Sequence, residues 1–167
     1  MTAEGMMDSC VEWSTALSVG IDEIDAQHQA LIDLINEMQA ALAQDLPRDR
    51  QLVTLNRLAE YTKIHFAVEE SLMRILGYPD YEHHKSQHEG LIRSMLDLQR
   101  RLDAGDASVD AGLMRHLRHW LLDHILQSDQ DYSRFFLAAG VLPRHRSPSW
   151  ATRLWDHLHF CSSKCWS

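Results

Sequence analysis

The 167-residue sequence predicts an all-α protein: an up-down-up-down four-helix bundle, preceded by an N-terminal loop and followed by a short helical tail. Three observations lead there. Helix-breaking and helix-capping residues cut the middle of the chain into four long segments. Each segment carries apolar residues at alternating three- and four-residue intervals, and the connections are short enough to make consecutive helices antiparallel neighbours. The expected division is a loop over 1–20, the bundle over 21–142 and a basic, aromatic tail over 143–167.

Taken in order, Asp22 is the expected cap of a first helix running to about Gln44, before Pro47. Its seam is Ile24, His28, Leu31, Ile35, Met38 and Leu42. Asp49 is the expected cap of a second helix that stops at Gly77, with Leu55, Leu58, Thr62, His65, Glu69, Leu72 and Leu76 in line. Asp80 opens a third, ending at Gly105, whose seam is Tyr81, His84, His88, Leu91, Met95, Leu98 and Leu102. Ser108 is expected to open a fourth, which reaches Gly140 through Leu113, Leu117, Leu121, His124, Ser128 and Phe135. Asp129 stands one step off that seam. No segment alternates as a strand would.

Composition narrows the function. A formal charge of -8, from 16 basic and 24 acidic residues, repels phosphate backbones, so nucleic acid is not the expected partner. The charge is uneven: residues 144–167 hold Arg144, Arg146, Arg153 and Lys164 against Asp156, a balance of +3 that leaves -11 on the rest. No run approaches the ~20 apolar residues of a membrane span, and the acidic start is unlike a signal peptide. The expected location is therefore cytoplasmic. Cys10, Cys161 and Cys165 do not suggest an oxidised scaffold, a short Cys161 to Cys165 loop being the alternative.

Histidine stands out, with 11 in the chain. Five lie in the seams together with Glu69, and burying each polar group unpaired would cost about 2–7 kcal/mol, more for a carboxylate. A domain is stable by only about 5–15 kcal/mol, so a metal centre is the compensation to expect. His65 with Glu69 and His84 with His88 are spaced i and i+4, one above the other on a helix face. In an antiparallel bundle these pairs fall at one level with His28, His124 and Asp129. Five imidazoles and two carboxylates exceed the needs of one ion and suit two metals bridged by the carboxylates, with iron, manganese or zinc as candidates. His124 and Asp129 are i and i+5, so a π-bulge or a bend toward the metal is needed to aim both inward.

The order His28, His65-Phe-Ala-Val-Glu69, His84-Lys-Ser-Gln-His88, His124 and Asp129 resembles the hemerythrins, the bacterial ones in particular. The likeness covers about residues 11–140 and includes Trp13, Asp25-Ala-Gln-His28, Glu69-Glu70-Ser-Leu-Met73, Gly77-Tyr-Pro-Asp80 and Asp129-Gln-Asp-Tyr132. The resemblance implies a non-haem centre of two iron ions that binds dioxygen reversibly. His84, His88 and His124 would hold one iron and His28 and His65 the other. Glu69, Asp129 and an oxo or hydroxo group would bridge them. Apolar Leu31, Ile32, Phe66, Trp120, Leu121 and Ile125 occupy the places that line the family's oxygen pocket.

Oxygen-activating di-iron bundles use Glu-x-x-His pairs, whose anionic donors stabilise oxidised iron. Five neutral imidazoles favour binding over oxidation, so no enzyme activity is expected beyond a slow side reaction with peroxide or nitric oxide. The alternatives are an oxygen or redox sensing module acting through its tail, or a di-iron oxidase. His83, His116 and His119 read as solvated, Met73 and Met95 as core, and Tyr132 as aromatic packing, with a hydrogen bond donated near the bridge as its alternative. The tail, with a short helix expected from Ser149, could fold back on the acidic body or contact a protein or membrane surface.

Overall fold

The computed structural model describes residues 10–106 and 109–140, and every regular element among them is helical. The expected tail, with its helix from Ser149, and the expected cap Ser108 lie outside the described residues. A short 3-10 turn, Thr15–Leu17, precedes α1 (Asp22–Ala43), α2 (Arg48–Leu76), α3 (Tyr81–Ala104) and α4 (Ala111–His124). A π-helical turn, Ile125–Asp129, joins α4 to α5 (Gln130–Ala138), so α4 and α5 together form the fourth rod of the bundle. Helix α1 packs on α2 and α4, and α2 packs on α3. Among the described residues no helix is long and apolar enough to cross a membrane.

The helix ends correct three expected caps. Ile21 precedes α1, so Asp22 falls in the first turn with Glu23 and Asp25, where acids oppose the helix dipole instead of capping it. Pro47 stands before α2 and moves Asp49 into its first turn. Asp80 sits at the start of α3 but its side chain accepts no cap bond. Asp110 caps α4, its carboxylate accepting from the Leu113 amide at 2.8 Å. At the other ends, Gly77 (φ +68°) closes α2 with the Tyr78 amide donating to the Met73 carbonyl, a left-handed stop that a side chain would strain. Asp45 takes the same role after α1 at φ +48°.

The heptad seams make the interior, and it is divided. Above the polar layer, toward the pole that carries Gly77 and Gly140, Val19, Ile21, Ile24, Met73, Tyr132 and Phe136 form a small apolar cap. Below it a larger cluster runs the rest of the bundle, from Leu31 through Leu58 and Met95 to Leu117.

The loop before α1 is tied down as a strap along the bundle. The Val11 amide donates to the Asn36 side chain, and the Asn36 amide group returns a bond to the Val11 carbonyl, each at 2.8 Å. Asp25 accepts from the Ser18 hydroxyl at 2.5 Å and from the Val19 amide at 2.7 Å. The Gln130 amide group then donates to the Ser18 carbonyl at 2.9 Å, linking the strap to the end of the π turn.

Candidate metal centre

The layer between the two apolar clusters is built from one position early in α1, two late in α2, two early in α3, and the two ends of the π turn. His28, His65, Glu69, His84, His88, His124 and Asp129 are all buried there. All seven expected residues are thus brought together, because antiparallel helices put an early turn of one beside a late turn of the next. The π turn spans the interval between His124 and Asp129, and its wider step turns both side chains toward the same interior.

The carboxylates lie between two groups of imidazoles. Glu69 turns Oε1 toward His28 and His65 (3.8 and 3.6 Å to Nε2) and Oε2 toward His84 and His88 (3.7 and 3.3 Å). Asp129 turns Oδ2 toward His28 (3.2 Å) and Oδ1 toward His84 and His124 (3.5 and 3.2 Å). The Nε2 atoms of His88 and His124 are 3.0 Å apart. Metal bonds of about 2.0–2.2 Å at right angles place neighbouring donors about 3 Å apart, so these spacings are those of a coordination shell slightly relaxed. Two groups emerge, Glu69 with His84, His88 and His124, and His28 with His65, Glu69 and Asp129, each with its donors within 4.8 Å of one another.

Hydrogen bonding tests whether metal fits. His28 Nδ1 and Nε2, Glu69 Oε2, His84 Nε2 and both Asp129 oxygens are buried without a hydrogen-bond partner. Each such atom costs about 1–3 kcal/mol, more when charged, so six together rival the stability of the domain. Five of the six face the shared interior. The nitrogen and oxygen donors are those that iron, manganese or zinc accept, and the group fits.

The electrostatics agree. Burial, with the neighbouring imidazoles, takes His65 down to about 3, and the same causes take His124 down to about 2, leaving both neutral donors. Burial works against charge on His28 too, yet the close carboxylates of Asp129 and Glu69 outweigh it and lift it to about 9. Glu69 is held well below the usual range by the histidines around it, despite burial. Burial and the charge of Glu69 push Asp129 up to about 6. A proton on His28 stands where a cation would be stabilised.

The neighbours of the seven were less legible. His65 Nδ1 meets Gln27 Oε1 at 3.0 Å, and the Gln27 amide group donates to Glu23 at 3.1 Å. His88 Nδ1 meets Glu70 Oε1, also at 3.0 Å. These bonds direct Nε2 of both rings into the layer. The only sequence signal was that Gln27 and Glu70 adjoin His28 and Glu69. Tyr132 corrects the preference for packing over hydrogen bonding, since its hydroxyl donates to Glu69 Oε1 while its ring packs on Phe136. His83 is exposed and meets Gln87 at 3.3 Å, His116 and His119 are exposed, and Met73 and Met95 are core.

Beneath the layer lies a mainly apolar cavity of about 20 Å³, lined by Leu31, Ile35, Leu58, Thr62, Phe66, Leu91, Met95, Leu117, Trp120 and Leu121. Leu31, Phe66, Trp120 and Leu121 are among the six residues expected beside the ligands. Ile32 and Ile125 are buried but do not line it. Most of its walls come from seam positions three and seven residues from a donor, and both isoleucines stand off that row.

The Hemerythrin HHE cation binding domain model matches residues 19–136. The bacteriohemerythrin of Stenotrophomonas maltophilia is 36% identical over 121 residues, 72% of this chain and 78% of that one. That of Methylococcus capsulatus is 32% identical over 121 residues, 72% of this chain and 92% of that one. A crystal structure of wild-type hemerythrin superposes with a TM-score of 0.72 at 31% identity, covering 75% of this chain and 97% of that one.

Proposed function

The chain belongs to the hemerythrin family, and on that premise we propose that its seven clustered donors hold two iron ions that bind dioxygen reversibly, for storage, delivery or scavenging. His84, His88 and His124 would hold one iron and His28 and His65 the other, with Glu69 and Asp129 as the carboxylates available to the pair. When bound, the iron pair supplies the electrons that a dioxygen molecule takes up and returns. Everything else is the work of the chain.

The observation that carries the reading is the pairing of those buried, unpartnered donors with a mainly apolar cavity one turn away. At about 20 Å³ the cavity admits a molecule near the size of water. The hydroxyl of Thr62, the one hydroxyl in its lining, is directed at the Leu58 carbonyl at 2.8 Å, and so offers no proton to a guest. Phe66 stacks on His88 with ring centres 3.6 Å apart and planes 2° apart, and Trp120 stacks on His124 at 4.5 Å and 15°. The same two rings thereby fix ligand orientation and exclude water. Tyr132 holds Glu69 from the opposite side.

The test is an anaerobic reduction of the iron-loaded chain, followed by alternating air and argon with iron counted per chain. Two irons with a visible charge-transfer band that appears and disappears through repeated cycles is the expected result. Two irons that oxidise once without recovery would overturn oxygen carriage and leave a redox-reactive centre.

A further inference from the structure

The two donor groups share Glu69 and differ in their other donors, three histidines in one and two histidines with Asp129 in the other; they differ again in what stands behind the imidazoles. His88 has a carboxylate behind it, Glu70 on Nδ1 at 3.0 Å, and this draws positive charge toward the N–H and makes Nε2 the stronger donor. His65 has a neutral amide, Gln27, at the same distance. The bond between Gln27 and Glu23 keeps the amide oxygen turned to His65, so the weaker backing is fixed. His28 Nδ1 is buried with no partner at all.

Orientation differs in the same sense. In the group with three histidines, Phe66 lies flat on His88 and Trp120 nearly flat on His124. In the other, His28 and His65 meet edge to face at 4.9 Å and 74°. Rings held in place before the metal arrives lose less freedom on binding it.

We infer that Glu70 and Gln27 widen the difference between the two metal positions beyond what their histidine counts give, and that the position of His84, His88 and His124 fills before that of His28 and His65. Glu70 and Gln27 are positioning residues: neither faces the interior of the layer. The inference rests on the reading of the seven residues as ligands of two metals.

Zinc(II) tests it without redox chemistry. The full chain, labelled with nitrogen-15 in its histidines, is titrated by NMR while calorimetry gives the two binding constants. The first equivalent is expected to move the His84, His88 and His124 signals, and the second those of His28 and His65. Glu70→Gln is expected to weaken the first step about tenfold or more and leave the second within about twofold. Gln27→Ala is expected to weaken the second step alone.

Signals of both groups moving together, or in reverse order, would overturn the inference. So would two zinc ions binding to Glu70→Gln with the first constant unchanged. Fewer than two zinc ions in the unmodified chain would instead overturn the two-metal reading beneath it. Glu70 is partly exposed, and its replacement by the isosteric amide leaves the packing of the fold intact.

Discussion

Toward the pole with Gly77 and Gly140 the metal layer meets a hydroxyl and a braced loop, whereas toward the other end of the bundle it meets almost only hydrocarbon. On the pole side Tyr132 bonds Glu69, and the strap is fixed through Asp25, Ser18 and Gln130. On the far side Leu31, Phe66, Leu121 and their neighbours surround the small cavity. Both sides bury apolar residues, but the π turn sets the fourth rod one step off its expected seam, so that Tyr132 and Phe136 are buried on the pole side and Ser128 and Phe135 only partly so. The difference teaches that one seam can give a donor layer a supporting face and a receiving face, depending on which positions carry a polar group or leave a gap.

The largest expected break comes at the residue that both faces share. Glu69→Ala removes an oxygen from each group and should abolish stable loading with two metals, and with it the stabilisation that metal binding gives the fold. Metal content and thermal midpoint measured together check this. Normal occupancy would remove Glu69 from the centre.

Phe136→Ala breaks the pole side by packing alone. It should cost about 3–5 kcal/mol of stability in denaturant unfolding. Metal stoichiometry should be unchanged, and a loss of metal would mean that the cap positions the donors as well as covering them.

Tyr132→Phe is a finer cut on that side. It deletes one bond to a carboxylate, for an expected loss of about 1.5–3 kcal/mol in the metal-free chain. The visible band of the iron-loaded protein should move, since Glu69 is no longer held from above. An unmoved band with unchanged stability would show the hydroxyl to be idle.

Thr62→Val should do least, changing stability by about 1 kcal/mol or less, because its hydroxyl only doubles an acceptor already on the helix. Oxygen and argon cycles should survive it. If they did not, the hydroxyl would have a part in the receiving face after all.

The sequence made the bundle and its donors legible because both are periodic. His28, the His65 and Glu69 pair and the His84 and His88 pair stand in seams, and the five-residue step from His124 to Asp129 asks for a π turn or a bend, of which the structure has the π turn. Bonds between helices were harder to see. Whether Gln27 meets His65, Glu70 meets His88 or Tyr132 meets Glu69 depends on the rotation of neighbouring helices, which spacing along one helix leaves open. Ile32 and Ile125 show the same limit, since adjacency to a ligand along the chain does not place a side chain on the cavity. The shifted caps at Asp22 and Asp49 have a local cause: an acid is as well placed just inside a first turn as in front of it.

The division of the interior by a polar layer has a consequence for how the helices find one another. Leucine-rich seams that repeat every seven residues look nearly alike when one helix slides along its neighbour by a heptad, and a uniform core would tolerate that slip. Here a slide of one heptad, about 10 Å, would carry His65 and Glu69 into hydrocarbon and set leucine against the remaining imidazoles. The seven donors therefore act as a notch cut at one height on four rods, which locks their axial alignment even before any ion is present.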